Sequence, residues 1–273
     1  MRIFISSDME GTAGVVDWDQ VRATGPRYEY FCELLTGEVN AAIEGAARAG
    51  ATEFLVNDSH GSMANLRPDA LAGSARYLSG RHKPMYMMEG LDATYDAVFF
   101  ISYHGSMGSA SVLSHTYYPQ AFAEVTINGV VAGEGGINAL AALAYGVPVV
   151  LVTGDATTAE ETLAFCPGAL TAVVKESTSR FAASSLHPAR ARELIGEQAC
   201  LAVASLPAAR QVAISLPATM RIVFKTTDYA ELGSRIAGCE RTGAVTAQLV
   251  SDDALALYRS FITIVLLCQR LSE

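Results

Sequence analysis

Three acidic residues and two histidines in the first half of the chain have the residue types of a metal centre. Carboxylate oxygens and imidazole nitrogens suit a two-metal site, in which one carboxylate bridges cations about 3.5–4 Å apart. Asp8 and Glu10 end an extended segment two positions apart, so both side chains point the same way, and paired carboxylates repel unless a cation lies between them. We expect Asp8 to be the bridge, because its shorter side chain leaves the strand first. The five candidate ligands are Asp8, Glu10, His60, His104 and Glu134.

The predicted elements alternate between strands and helices. Residues 2–7 are a short apolar run typical of a buried strand, residues 28–49 have the apolar periodicity of a helix, and residues 53–57 predict a second strand. This order defines a βαβ unit with parallel strands and a right-handed crossover. The alternation continues with a strand at 97–103, a helix at 134–145 and a strand at 147–153.

The candidate ligands fall at one edge of this predicted sheet. Asp8 and Glu10 follow the first strand, His60 follows the second, and His104 follows the strand at 97–103. In open α/β sheets, ligands bind at the carboxyl ends of the parallel strands. Glu134 opens the predicted helix from a glycine-rich turn that permits close backbone approach, so a third carboxylate is expected at the same edge.

Each candidate taken alone has a simpler explanation. Asp8 suits a turn cap, Glu134 suits the first turn of a helix, where the macrodipole favours an acid, and a buried histidine is more often structural than a ligand. A single-metal centre of two histidines and one carboxylate also fits the residue types, but it leaves two carboxylates without a role. The convergence of all five residues on one sheet edge favours the two-metal centre.

The fold class predicted from this pattern is α/β, with a mostly parallel, three-layer sheet domain and a smaller α+β unit. Asn128-Gly129 is the preferred sequence of a two-residue type I′ turn and predicts a hairpin inserted into the parallel sheet. The chain turns polar near residue 187, so we expect a catalytic α/β domain at 1–187 that carries the metal site and an α+β domain at 188–273. The smaller unit is predicted to contain strands at 211–216, 221–225 and 244–250, and a last helix capped by Ser251-Asp252-Asp253.

The composition excludes several classes of partner. The chain has 273 residues and a net charge of −9, from 19 basic and 28 acidic residues, and no basic cluster that would bind nucleic acid or an anionic membrane. The start lacks the apolar segment of a signal peptide, and the most apolar stretch, 261–268, is far shorter than the roughly 20 residues that span a bilayer. Five scattered cysteines suit reduced thiols in a cytoplasmic protein. His82, in a basic surface loop, and His187 have no predicted function.

Five short motifs also resemble those of a known family. In chain order they are Ser7-Asp8-Met9-Glu10-Gly11, Asn57-Asp58-Ser59-His60, Tyr103-His104, Ser114-His115, and Gly133-Glu134 with Asn138. Together they resemble the DppA-type D-aminopeptidases, peptidase family M55, over essentially the whole chain. The resemblance implies a di-zinc aminopeptidase that releases N-terminal D-amino acids, such as D-alanine, from short peptides or amides. It also implies a homo-oligomer, a decameric ring of two stacked pentamers.

The resemblance implies a role for each site residue. The implied ligands are Asp8, Glu10 and His104 for one zinc ion, and Asp8, His60 and Glu134 for the other. By its position eleven residues beyond His104, His115 could be a sixth ligand or an acid–base group. In the family resemblance His115 corresponds to the catalytic residue, which could act as general acid–base, as stabiliser of the tetrahedral intermediate or as nucleophile. The zinc ions would activate water for attack on the amide carbonyl and polarise the carbonyl oxygen.

The alternative function is another two-metal hydrolase of small substrates, an amidase or a phosphoesterase. The sequence has no G-x-x-x-x-G-K-[ST] phosphate loop, and lysines are scarce near the candidate ligands. It also has no G-x-G-x-x-G motif after the first strand, which argues against a dinucleotide-binding module. Asp58 has two possible roles, since it could orient His60 or form the turn that precedes it.

Overall fold

The computed structural model of the protein describes residues 1–73 and 75–271. Within these ranges, seven strands form a first sheet, sheet A. In spatial order they are Ala75–Leu78 (β3), Glu53–Asp58 (β2), Arg2–Ser7 (β1), Ala97–Tyr103 (β4), Val149–Asp155 (β7), Leu170–Ser179 (β8) and Ala182–Ser185 (β9). Neighbouring strands are parallel except for the last pair, β8 and β9. The carboxyl ends of β1, β2 and β4 therefore meet at one edge.

A second sheet, sheet B, is antiparallel throughout the described chain. Its strands, in spatial order, are Cys239–Arg241 (β11), Thr246–Ser251 (β12), Ala218–Phe224 (β10), Phe122–Ile127 (β5) and Val130–Val131 (β6). Asn128 and Gly129 both have positive φ, at 52° and 82°, so the predicted type I′ turn between β5 and β6 is confirmed. The hairpin, however, belongs to sheet B and not to the parallel sheet into which the sequence placed it.

Helices cover both faces of sheet A. The helices of the described ranges are Tyr28–Arg48 (α1), Glu134–Tyr145 (α2), Ala156–Leu163 (α3), Pro188–Ala204 (α4), Thr227–Gly233 (α5) and Ala254–Cys268 (α6), of which α5 packs against sheet B. Ile3 and Ile5 of β1 pack into a core with α1 and α4, whereas Phe4, which points the other way, packs into a core shared with α2, α6 and sheet B. None of the described helices is long and apolar enough to cross a membrane.

The predicted fold class is confirmed, since a mostly parallel sheet lies between two layers and an antiparallel sheet adjoins it. The predicted strand at 211–216 is wrong, because these residues join neither sheet. Val212 and Ile214 are buried in alternation, which imitates a strand, but Ala213 donates a backbone hydrogen bond to Phe165 in a loop. The short strands β3 and β9 were not predicted, because their residues are half-buried or exposed and have no apolar pattern.

Several pairs of packed elements cross residue 187. Strand β5, from the first part of the chain, pairs with β10 from the second, and α4, from the second part, packs against α1. The division between the two sheets therefore does not coincide with residue 187. The two folding units at 1–187 and 188–273 stay a prediction.

Candidate metal centre

The predicted site residues come together at the carboxyl edge of sheet A. Asp8 and Glu10 lie in the loop after β1, His60 follows β2, His104 follows β4, and Glu134 is the first residue of α2. Each of these side chains, and that of His115, is buried, with at most 9% of the residue exposed. Five polar or charged residues from four separate segments thus share one buried cluster with His115, as the strand order predicted.

Asp8 lies between two imidazoles. Its Oδ1 is 3.3 Å from His60 Nδ1, and its Oδ2 is 3.3 Å from His104 Nε2. One carboxylate thus offers each of its oxygens to a different imidazole, which is the arrangement expected of a carboxylate shared between two cations.

The other two carboxylates approach the same imidazoles. Glu10 Oε2 is 2.9 Å from His60 Nδ1, and Glu134 Oε1 is 3.6 Å from His104 Nε2. The family resemblance implies the opposite pairing, with Glu10 beside His104 and Glu134 beside His60. His115 Nε2 lies 4.0 Å from Glu10 Oε1 and 3.8 Å from Glu134 Oε1, between the two groups. The division of the carboxylates between two ions stays a prediction.

Backbone carbonyls fix the orientation of all three imidazoles. His60 donates from Nε2 to the carbonyl of Val21 at 2.6 Å, and His104 and His115 donate from Nδ1 to the carbonyls of Gly105 and Leu113, both at 2.9 Å. In each ring the other nitrogen faces the carboxylates. This is the usual way in which a protein presents histidine to a metal, because a carbonyl on one nitrogen leaves the second free to ligate.

The donor set fits a pair of divalent cations. Among the described residues, three groups of side chains each bring three ligand atoms within 4.8 Å of one another: Asp8 with Glu10 and His60, Asp8 with His104 and Glu134, and Glu10 with His104 and His115. Asp8 Oδ2, Glu10 Oε2 and His104 Nε2 are buried and have no hydrogen-bond partner. Buried polar atoms are normally satisfied, and unsatisfied ligand atoms within one cluster are what bound metal would complete.

The close approach of acids and imidazoles shifts their pKa values. Burial by itself raises the pKa of Asp8, but the imidazoles of His104 and His60 hold it well below its ordinary value. Burial lowers the pKa of a histidine, but Glu134 and Asp8 hold the pKa of His104 well above its ordinary value, and Glu10 and Asp8 do the same for His60. The buried carboxylates thus favour positive charge at their centre, which bound cations would supply.

His115 differs from the other two histidines. Burial, and then the charge of the stacked His104, lower the pKa of His115 to about 4, so its imidazole is neutral at pH 7. The edge of the Trp18 indole contacts this imidazole, with ring centroids 5.6 Å apart. A neutral, oriented imidazole at the side of the ligand cluster can accept a proton at Nε2.

Lys175 holds the loop that carries Glu10. This buried lysine of β8 donates from Nζ to the backbone carbonyls of Glu10, Thr12 and Val15, at 2.5, 2.9 and 2.8 Å. All three of its donors are therefore used to fix one loop. No role for Lys175 was predicted from the sequence; a lysine within β8 leaves no sequence pattern that points to the Glu10 loop.

Lys83 does the same for the segment before His60. Its Nζ donates to Asn57 Oδ1 and to the carbonyls of Asp58 and Leu78, at 2.6, 2.6 and 3.2 Å. Lys83 belongs to the basic loop that the sequence placed on the surface, but it is only 5% exposed. The two lysines support ligand-bearing loops and are not free cations.

Asp58 forms the turn and does not contact the His60 ring. Its carboxylate accepts hydrogen bonds from the backbone N–H groups of Asn65 and Leu66 and from Asn65 Nδ2, at 2.5, 2.8 and 2.6 Å. Asn65 Nδ2 also donates to the carbonyl of His60 at 2.7 Å. Of the two roles considered for Asp58, the structure therefore supports turn formation, with an effect on His60 only through its backbone.

Left-handed backbone occurs near each histidine of the cluster, His60, His104 and His115. Met63, Ser102, Leu113 and Tyr117 have φ between 52° and 60°. Such conformations cost about 1–3 kcal/mol each and persist only where other contacts fix them. At Tyr117 the reason is visible, because its backbone N–H donates to Glu134 Oε1 at 2.7 Å and so orients that carboxylate.

The cluster lies at the wall of a cavity of about 1040 Å³. Its lining includes Asp8, Glu10, His60, His115 and Glu134, together with a set of residues that the sequence did not predict: Trp18, Arg22, Arg81, His82, Lys83, Tyr117 and Arg270. His82, to which the sequence assigned no function, therefore borders the site. His187 lies elsewhere and caps α4, since its Nδ1 accepts from the N–H of Ala189 at 3.2 Å. A cavity of this size accommodates a small-molecule or short-peptide substrate.

The fold and the donor set define a metal-dependent hydrolase, and comparisons with known proteins specify the family. Residues 1–263 match the model of the peptidase M55 family, described as D-aminopeptidase. The chain is 34% identical over 273 residues to a D-aminopeptidase of Bacillus subtilis (strain 168), covering 100% of this chain and 99% of that protein. It is also similar to a solved structure of the Zn-dependent D-aminopeptidase DppA from Bacillus subtilis, a self-compartmentalizing protease, with 34% identity, a TM-score of 0.94 and full coverage of both chains.

This protein belongs to peptidase family M55, the D-aminopeptidases. It is a metallo-aminopeptidase, and its activity is that of a D-aminopeptidase rather than of a phosphoesterase.

Proposed function

We propose that the protein is a two-zinc D-aminopeptidase that releases N-terminal D-amino acids such as D-alanine from short peptides or amides. Asp8 would contribute one oxygen to each ion, and Glu10, His60, His104 and Glu134 would complete the two ligand sets. The observation that carries this proposal is the position of Asp8, whose two oxygens each lie 3.3 Å from a different imidazole. The zinc dependence stated for the similar Bacillus enzyme supports the choice of metal.

The chemistry divides between the metals and the protein. When bound, zinc would polarise the scissile carbonyl and favour the deprotonation of water. Backbone groups orient the side chains that would hold zinc. Carbonyls accept hydrogen bonds from the imidazoles, and the Tyr117 N–H donates to Glu134. A preorganised site of this kind stabilises the charge that develops in the transition state without reorganising during the reaction.

His115 would be the catalytic residue. Its neutral imidazole donates from Nδ1 to Leu113 and directs Nε2 toward the space between Glu10 and Glu134. In the role that we propose, Nε2 accepts a proton from the attacking water as the carbon–oxygen bond forms. The same proton then passes to the leaving amine as the carbon–nitrogen bond breaks, so the imidazole ends neutral.

The location and assembly of the protein are further parts of the proposal. All five cysteines are free thiols, and four of them are buried, which supports a reducing compartment such as the cytoplasm. We propose a homo-oligomer, and the family resemblance implies a ring of ten 28.8 kDa chains. The similar Bacillus enzyme is a self-compartmentalizing protease, which supports an assembly of several chains. Exposed valines on the edge strand β6, Val130 and Val131, support such contacts. Sedimentation of the purified protein tests the assembly, and a 28.8 kDa particle would contradict it.

The decisive experiment is a turnover panel on zinc-loaded protein. D- and L-alanine p-nitroanilide, D- and L-alanyl dipeptides and a generic phosphoester are assayed together, and zinc is counted per chain. We expect about two zinc ions, rapid release of D-alanine and no phosphoester cleavage. Equal rates for the two enantiomers would reject the D-specific function, and fewer than two ions at saturation would reject the two-metal site.

A further inference from the structure

The charges that line the cavity are unevenly distributed. Among the described residues of the lining, the acidic side chains are Asp8, Glu10 and Glu134, and all three face the imidazoles. The remaining charged groups of the lining are basic, and they come from three separate segments: Arg22, Arg81, Lys83 and Arg270. In a chain with a net charge of −9, this concentration of positive charge is local to the cavity.

Two of the four basic groups are already engaged. Lys83 uses its three donors on Asn57, Asp58 and Leu78, as described above. The Arg22 guanidinium stacks on the indole of Trp18, with its carbon 5.0 Å from the ring centroid. Neither group is therefore available to anchor a substrate without losing an existing contact.

Arg81 and Arg270 are the two that are available. Both side chains are exposed, and in the part of the chain that the structure describes neither forms an ion pair. The two segments that carry Arg81 and Arg270 form walls of the cavity, and a hydrogen bond joins them: Gln269 Nε2 donates to the Tyr86 hydroxyl at 3.2 Å. Tyr86, Arg81 and Arg270 all line the same cavity.

We propose that Arg81 and Arg270 bind the terminal carboxylate of short peptide substrates, an inference that rests on the proposed aminopeptidase function. An aminopeptidase holds the amino end of a peptide at its reacting groups, so the carboxylate of a dipeptide or tripeptide points away from them along the cavity. A guanidinium matches a carboxylate with two parallel hydrogen bonds, and two such groups on joined walls would fix the distant end of the chain. The preferred substrates are therefore free peptides rather than their C-terminal amides or esters.

A fixed anchor also selects peptide length. Each added residue lengthens an extended peptide by about 3.3–3.6 Å, so the carboxylate reaches the two arginines only over a narrow range of lengths. The advantage of a free carboxylate should therefore be largest for one length and fall as glycines are added.

The test compares D-alanyl dipeptide and tripeptide with their C-terminal amides on the zinc-loaded enzyme. We expect the wild type to favour the free acid over the amide by at least about ten-fold in kcat/KM, the effect of one charge-assisted hydrogen bond. The double variant Arg81→Gln/Arg270→Gln should reduce this ratio to about one. Arg81→Lys should keep part of this preference for the free acid, because lysine retains the positive charge but not the paired N–H donors of the guanidinium. Arg190→Gln, at an exposed arginine of α4, is the matched control and should leave the ratio unchanged.

Two further measurements complete the experiment: the dependence of kcat/KM on ionic strength, and the hydrolysis of a substrate without a carboxylate. Raising the ionic strength should lower kcat/KM for the free acid and not for the amide. D-Alanine p-nitroanilide has no carboxylate, so its hydrolysis reports the proposed function alone. If the enzyme cleaves this anilide but cleaves acid and amide equally, or if the double variant keeps the wild-type ratio, the carboxylate site is wrong and the proposed function stands. If no D-alanyl substrate of any kind is cleaved, the proposed function itself fails.

Discussion

The imidazole of His115 stacks on that of His104, with ring centroids 4.2 Å apart and planes 11° from parallel. One ring belongs to the cluster of candidate ligands, and the other lies beside it with a pKa lowered to about 4. The two histidines, eleven positions apart, thus have pKa values shifted in opposite directions within one site. The stack places a neutral base directly against the groups proposed to hold zinc, which is the geometry that the proposed proton transfer needs.

Replacing His115 by alanine should abolish most of the activity and leave the metals in place. A positioned acid–base group contributes about 10²–10⁴-fold to a rate, so kcat for D-alanine p-nitroanilide should fall by about that factor. Zinc per chain should stay at the wild-type value. His187→Ala, at the exposed start of α4, is the control and should keep kcat. Turnover near the wild-type rate in His115→Ala would reject the catalytic role.

Replacing Lys175 by methionine should weaken both the fold and the site. Methionine fills a similar volume but leaves the carbonyls of Glu10, Thr12 and Val15 without their donor, at a cost of roughly 1–3 kcal/mol for each carbonyl that stays unsatisfied. Urea unfolding should show a lower midpoint, and zinc affinity should fall because the Glu10 loop is released. Lys225→Met changes an exposed lysine and serves as the control. Equal midpoints for the two variants would contradict the role given to Lys175.

Gly11→Ala should disturb the ligand loop by steric conflict. A Cβ at this position would lie 2.1 Å from the backbone oxygen of Tyr103, and backbone cannot yield as a flexible side chain can. The loop must therefore move and carry Asp8 and Glu10 with it. We expect at least a ten-fold loss of kcat/KM together with lower zinc content. Gly73→Ala, where a Cβ meets nothing within 4 Å, should behave as the wild type. Normal activity in Gly11→Ala would show that the close approach is not needed.

Removal of zinc by a chelator should lower the thermal stability. An ion that binds only the folded state at 100 times its dissociation constant adds about 2.7 kcal/mol to the free energy of unfolding. Differential scanning calorimetry should therefore show a melting temperature several degrees lower after chelation, and added zinc should restore it. Calcium should not, because it prefers sites made of oxygen ligands alone. In Asp8→Asn, which weakens the shared ligand, the chelator should have a much smaller effect; an unchanged shift would argue against Asp8 as a ligand.

The sequence predicted which candidate residues meet better than it predicted the residues around them. Strands β1, β2 and β4 are apolar runs with clear ends, so the edge at which Asp8, His60 and His104 meet follows from the parallel order alone. The residues that hold the loops were missed, because a hydrogen bond from Lys175 to the carbonyl of Glu10 spans 165 positions and leaves no local pattern. The apolar alternation at 211–216 gave a wrong strand prediction, because alternating burial in a loop produces the same sequence pattern as a half-buried strand.

What the amino-acid sequence by itself determined is the list of reacting groups and the strand ends that carry them. The tertiary structure alone decided which groups face each other: Asp8 between His60 and His104, Glu10 beside His60, and the neutral His115 against His104. The tertiary structure also places Arg81, in the basic loop predicted to lie on the surface, in the wall of the cavity. The residues at the end of α6 line the same cavity. The physical reason is that residue type and periodicity fix local elements, whereas side-chain distances depend on how distant elements pack.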